Sequence, residues 1–223
     1  MPPSKWFIFL APWLIAAAAV AAPPLPAAVQ AELDAAVLDY DAGHFDQARQ
    51  AFESLVKHEV PAAQYNLAVM HLRGEVPQPD LPLAQDLLTR AARSGFVTAQ
   101  LALAKALENG DLGSRDLDLA HCWYGVAATG GSVDAQVAMG TGYYLGRGLP
   151  KDPARAVLWF REAANGGDVG AMYLLASMYE KGDGVGRDLR LARHWYEMAA
   201  RHGDEAAPGK VRELDALLSE PPA

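Results

Sequence analysis

Ala63, Ala99, Ala135, Ala171 and Ala207 fall 36 residues apart, and the segments between them align as four full units without a gap. A period of this length marks a chain built from one supersecondary unit stacked on itself, and it settles the fold before any local propensity does. Glycine recurs at Gly74, Gly110, Gly146 and Gly182, aspartate at Asp80, Asp116, Asp152 and Asp188, and alanine at Ala84, Ala120, Ala156 and Ala192. A large apolar residue follows, Leu87 in the first unit and then Trp123, Trp159 and Trp195, each trailed by an alanine pair. The units close with Gly95, Gly131, Gly167 and Gly203.

Each recurring residue does a job that a helix-turn-helix unit requires. A first helix starts near the register alanine, and its positions one, five and nine, such as Ala171, Leu175 and Tyr179, share one face at helical spacing. Small residues beside that face, Ala68, Ala104, Gly140 and Ala176, let helices approach closely. The glycine eleven residues after the register alanine suits a left-handed helix end, which other residues enter at a steric cost. The recurrent aspartate then caps the second helix, its carboxylate accepting from unpaired N–H groups near the positive end of the helix dipole. Asp152-Pro153 fits this reading, since proline is at home in the first helical position. Second helices such as ARAVLWFREAANGG put Ala156, Trp159 or Phe160, and Ala163 on the packing side and leave Arg155, Arg161 and Glu162 to water. The tryptophans are expected to be core residues; a row for stacking on carbohydrate is the lesser reading.

In order, these residues run A-x-x-x-L-G/A-x-x-Y-x-x-G-x-G-x-x-x-D-x-x-x-A-x-x-W-x-x-x-A-A-x-x-G, which resembles the Sel-one-like repeat family, a branch related to tetratricopeptide repeats. The unit AMYLLASMYEKGDGVGRDLRLARHWYEMAARHG, from Ala171 to Gly203, fits best, and the first two units have degenerate loops, EVPQPDLP and DLGSRDLD. The resemblance implies an all-α, right-handed α-solenoid and adaptor work on protein partners. One secreted branch of the family, linked to penicillin or peptidoglycan-fragment binding, carries a cysteine pair in each repeat; this chain has only Cys122.

The expected organisation is a signal peptide over 1–21, a linker over 22–27, a tetratricopeptide-like capping hairpin over 28–62, repeats over 63–98, 99–134, 135–170 and 171–206, a capping helix over 207–218 and a tail over 219–223. Tyr40 and Gly43 repeat the Y-x-x-G step in the first flank. At the other end Arg212 stands where Ala176 sits one period earlier, a charge at a packing position that says nothing stacks beyond it.

The leader reading rests on Lys5, an uncharged apolar run from Trp6 to Ala22, and the small-x-small pattern of Ala19, Val20 and Ala21. It predicts a periplasmic or secreted protein with no stable membrane insertion after cleavage; a retained anchor is the alternative. No cysteine follows the run, which excludes a bacterial lipoprotein. The chain carries a formal net charge of −8, and loss of a leader bearing Lys5 makes it one unit more negative. Such a body repels phosphate backbones, so nucleic acid is not an expected partner.

No chemistry assembles from the remaining motifs. The glycine-rich stretches at Gly146-Arg147-Gly148 and Gly182 to Gly186 follow helices and lack the Lys-Ser/Thr of a phosphate loop. His44, His58, His71, His121, His194 and His202 are scattered, and none pairs at the spacing of a zinc site. No catalytic residue, metal or cofactor is predicted. Function is expected to lie in a partner protein or peptide of the cell envelope, held on the concave face lined by the first helices. Related tetratricopeptide geometry places on that face Tyr65, Val69 and Leu72; Leu101, Lys105 and Glu108; Val137, Thr141 and Tyr144; and Tyr173, Ser177 and Glu180. The alternatives are binding or hydrolysis of a cell-wall fragment or β-lactam, and a mainly structural oligomer.

Overall fold

The structure, a computed structural model, describes residues 24–219. The leader and all but the first residue of the tail therefore lie outside the described residues. Within them the chain forms helices only: α1 (Ala27–Asp41), α2 (Phe45–Lys57), α3 (Pro61–Arg73), α4 (Leu81–Arg93), α5 (Val97–Asn109), α6 (Leu117–Thr129), α7 (Val133–Leu145), α8 (Pro153–Asn165), α9 (Val169–Lys181), α10 (Leu189–Arg201) and α11 (Ala207–Ser219). Each helix packs chiefly on the ones before and after it in sequence, which gives a solenoid of antiparallel hairpins.

The turn chemistry explains the hairpins. Gly74, Gly110, Gly146 and Gly182 end α3, α5, α7 and α9 in the left-handed conformation, with φ between 69° and 85°. The second helices begin on aspartate caps. Asp80 accepts from the Leu83 N–H and Asp116 from the Leu119 N–H, both at 2.9 Å, and Asp152 accepts from the Arg155 N–H at 3.0 Å. Asp188 takes two N–H groups, from Arg190 and Leu191. Each such cap is worth about 1 kcal/mol. The first helices start two residues before the register alanine, because the closing glycine and one extended residue already complete the turn.

Packing follows the small residues. The register alanines are at most 1% exposed, and Ala68, Ala104 and Ala176 are fully buried. At Gly140 a Cβ would lie 2.8 Å from the Phe160 ring, so the glycine is what admits that aromatic. Buried Gln100 and Gln136 donate to the Ala92 and Ala128 carbonyls at 3.0 and 3.2 Å, tying the end of each second helix to the next unit.

The second-helix core departs from the expectation. Trp123, Trp159 and Trp195 are only half-buried, while the residues that follow them, Tyr124, Phe160 and Tyr196, are nearly inaccessible, as is Leu88 in the first unit. These residues centre the stripe formed with the flanking alanines; the tryptophans, one residue earlier, lie at its edge. Arg161 is likewise half-buried and donates to the Tyr179 hydroxyl at 2.7 Å.

The flanking helices pack on the repeats. Phe52 and Leu55 of α2 are fully buried, and Tyr40 donates to Glu75 at 2.8 Å across to the first full hairpin. In α11, Ala207 and Leu214 are buried and Arg212 is exposed.

Candidate binding site

All twelve residues assigned to the inner stripe lie on α3, α5, α7 and α9, and none is buried: Lys105 is exposed and the other eleven are half-buried. They divide by what holds them. Tyr65, Leu72 and Leu101 lean on the core of the first units, and Val137, Tyr144 and Tyr173 on that of the last. Tyr65 meets Phe96 edge-on at 5.8 Å between centroids, and Tyr173 meets Tyr196 in the same way at 5.0 Å. Val69, Thr141 and Ser177 complete the stripe. Lys105 reaches the next repeat and pairs with Asp134 at 2.9 Å.

Glu108 and Glu180 are held most firmly. Tyr124 donates its hydroxyl to Glu108 Oε2 at 2.7 Å, and Tyr196 does the same to Glu180 Oε2 at 2.8 Å. In the other two units the same pair of positions is Leu72 with Leu88 and Tyr144 with Phe160, neither of which can make this bond. Burial pushes the Tyr124 and Tyr196 phenols well up, and the carboxylate beside each reinforces the shift, so both hydroxyls remain donors far above neutral pH. The Tyr144 phenol is also raised, chiefly by the nearby Asp183 carboxylate and then by burial.

A cleft of about 160 Å³ opens beside Glu108 and brings it together with Thr141, an assignment of the inner stripe, and with five residues outside that stripe: His121, Tyr124, Ala138, Gly142 and Arg147. The His121 side chain belongs to a residue only 7% exposed. Its Nδ1 lies 2.8 Å from the Leu117 carbonyl, which can only accept, so Nδ1 carries the proton and Nε2 of the neutral ring is an acceptor. Arg147 Nη2 stands 3.6 Å from Glu108 Oε1, with its side chain 59% exposed. The signal available in the sequence was the Glu-Tyr combination at equivalent positions of the second and fourth units only.

Among the described residues no group of three or more His, Cys, Asp or Glu side chains could hold a metal ion, and no helix is long and apolar enough to cross a membrane. Cys122 is a free, exposed thiol.

The fold and its turn chemistry define an α-solenoid of helical hairpins. The Sel1 repeat pattern matches residues 61–96, 97–132, 133–168 and 169–204, each segment starting two residues before the register alanine. The chain belongs to the Sel1 repeat family, whose repeats generally serve protein–protein interaction and are typically non-catalytic. Among solved structures, it is similar to a Sel1 repeat protein from Oxalobacter formigenes, with 32% identity, a TM-score of 0.70, and coverage of 76% of this chain and 49% of that one. It is also similar to c5321, a protective antigen of uropathogenic Escherichia coli with an SLR fold, at 28% identity and a TM-score of 0.78, covering 86% of this chain and 42% of that one. The chain thus spans about half the length of these relatives. Comparison with curated proteins gives no significant match.

Proposed function

We propose that the protein is an exported scaffold that holds a partner protein or peptide of the cell envelope along the inner stripe of its first helices. The observation that carries this reading is the stripe itself. Four consecutive units each offer three side chains left partly open to water on the same positions of the first helix, mixing aromatic, aliphatic and charged groups. Export rests on Lys5, the apolar run to Ala22 and the Ala19-Val20-Ala21 pattern.

The test is crosslinking capture from envelope extracts, comparing the wild-type chain with a variant carrying Tyr144→Ala and Lys105→Glu. These positions suit the purpose better than Tyr173, whose ring packs edge-on against buried Tyr196. One dominant captured protein, lost in a variant that keeps its melting temperature within a few degrees, is the expected result. Capture unchanged by the double variant overturns the inner-stripe assignment, and retention of wall fragments in place of protein overturns the scaffold. A signal for export is removal of the leader in the native host; an intact N-terminus on a cytosolic protein overturns that part.

A further inference from the structure

We propose that the cleft beside Glu108 is a receptor for a primary ammonium group, and that it takes a lysine side chain of whatever partner lies on the inner stripe; this rests on the scaffold reading above. The argument comes from the chain itself. Two periods further on, the same Glu-Tyr pair recurs as Glu180 and Tyr196, and there its free oxygen is occupied: Lys210 Nζ lies 3.3 Å from Glu180 Oε1 while Tyr196 holds Oε2. The residue in the second unit's frame that corresponds to Lys210 is Ala138, which forms part of the cleft wall. In the fourth unit Glu213 also takes the ammonium ion, at 2.9 Å; the second unit has the same phenol-held carboxylate, with Thr141 at the position of Glu213 and alanine in place of the lysine.

The cleft's other groups fit the same occupant. His121 Nε2 presents a lone pair, and the Thr141 hydroxyl and Glu108 Oε1 add two more acceptors for the three N–H donors of an ammonium. Glycine keeps the imidazole face clear, since a Cβ at Gly142 would lie 2.9 Å from His121 Nε2. Ala138, Gly142 and the Tyr124 ring supply apolar wall for a methylene stem. The volume of about 160 Å³ accommodates roughly five water-sized groups, which matches the five heavy atoms of a lysine side chain. Arg147 is the one cation at the rim. Its 3.6 Å contact is long and its side chain mostly in water, so it swings aside at little cost.

The test uses the full chain and two small probes, Nα-acetyl-lysine methylamide and its uncharged norleucine counterpart, with the His121 ring nitrogens followed by NMR. The lysine probe is expected to shift His121 Nε2 saturably and the norleucine probe to leave it unmoved. Glu108→Gln, which keeps the shape and the hydrogen bond from Tyr124, is expected to weaken the lysine probe at least tenfold. Ala138→Lys fills the cleft from within and is expected to abolish the response. Arg147→Ala removes the competing cation and is expected to tighten binding several-fold, whereas a site for anions would lose its ligand with that substitution. No shift at His121 with the lysine probe, an equal shift with norleucine, or weaker binding in Arg147→Ala overturns the proposal. A probe that binds while the Tyr144 and Lys105 substitutions leave partner capture intact would retain the cleft and discard the inner stripe as partner site. Capture that depends on those residues, with a cleft silent to lysine, would do the reverse.

Discussion

The second and fourth repeats carry the same inner carboxylate on the same buried tyrosine, and they differ in how that carboxylate is completed. In the fourth, α11 follows and sends back Lys210, which bonds Glu180 at 3.3 Å and Glu213 at 2.9 Å. In the second, α7 continues the stack with Ala138, and Glu108 faces a cleft with His121 at its wall. The comparison teaches that the same repeat position can be filled from a neighbouring helix in one unit and open in another. Lys210 of α11 supplies what Ala138 of α7 leaves free. The first and third repeats have Leu72 and Tyr144 at the carboxylate position, so the device is confined to alternate units.

The largest effects should be common to both repeats. Tyr124 is 3% exposed and Tyr196 1%, so each ring is core whatever its hydroxyl does. Tyr124→Ala and Tyr196→Ala are each expected to cost about 3–5 kcal/mol, read as a fall of roughly 6–20 °C in melting temperature for a chain of this size. A much smaller loss for Tyr124→Ala alone would break the equivalence, by showing that the cleft already leaves that ring loosely packed.

Removing only the hydroxyls should separate the two. Tyr124→Phe leaves Glu108 with Arg147 at its long distance, whereas Tyr196→Phe leaves Glu180 still bonded to Lys210. The expected cost is about 1–2 kcal/mol for the first and less for the second. The sign of the pH dependence follows from the raised phenols. The folded state keeps protons that the unfolded state releases above about pH 10, so this stability is complete below that pH and drains away as pH rises. Melting curves from pH 8 to 11 should fall more steeply for wild type than for the doubly substituted protein. Parallel curves would mean that the two phenols are not linked to folding.

The hairpins themselves were legible because their determinants are local. A glycine with positive φ and an aspartate with a free carboxylate work through a few neighbouring residues, and their spacing survives in the sequence as a period. The tryptophans are only partly the core they suggest, for a related reason. They are the most conspicuous recurrent residue and pack against the core, as Leu87 does in full at their position of the first unit, yet the centre of the stripe is Leu88, Tyr124, Phe160 and Tyr196, whose column varies in chemistry and so attracts less notice. The cleft was harder still. Glu108 and Thr141 belong to the inner stripe, but the hydroxyl that fixes Glu108 comes from α6, and the imidazole beside the space has room only because glycines stand at Gly142 and Gly148. Pairing across a hairpin depends on which faces meet, and a period alone does not state that.

The smallest change in stability should produce the clearest change in behaviour. Lys210→Ala removes two contacts from a side chain about one third exposed, so it is expected to cost less than about 1 kcal/mol. It also restores at Glu180 the alanine that stands at Ala138 beside Glu108. If the Glu-Tyr pair is itself the ammonium-binding element, this variant should gain a second, weaker site for the lysine probe, reported by the aromatic resonances of Tyr196. The gain should be modest, because Arg193, not histidine, occupies the position equivalent to His121, and its guanidinium already bonds Asp215 and Glu197. A variant that stays at one site would assign the selectivity to the imidazole and the glycine-cleared space of the second repeat, with the Glu-Tyr pair serving there only as a wall.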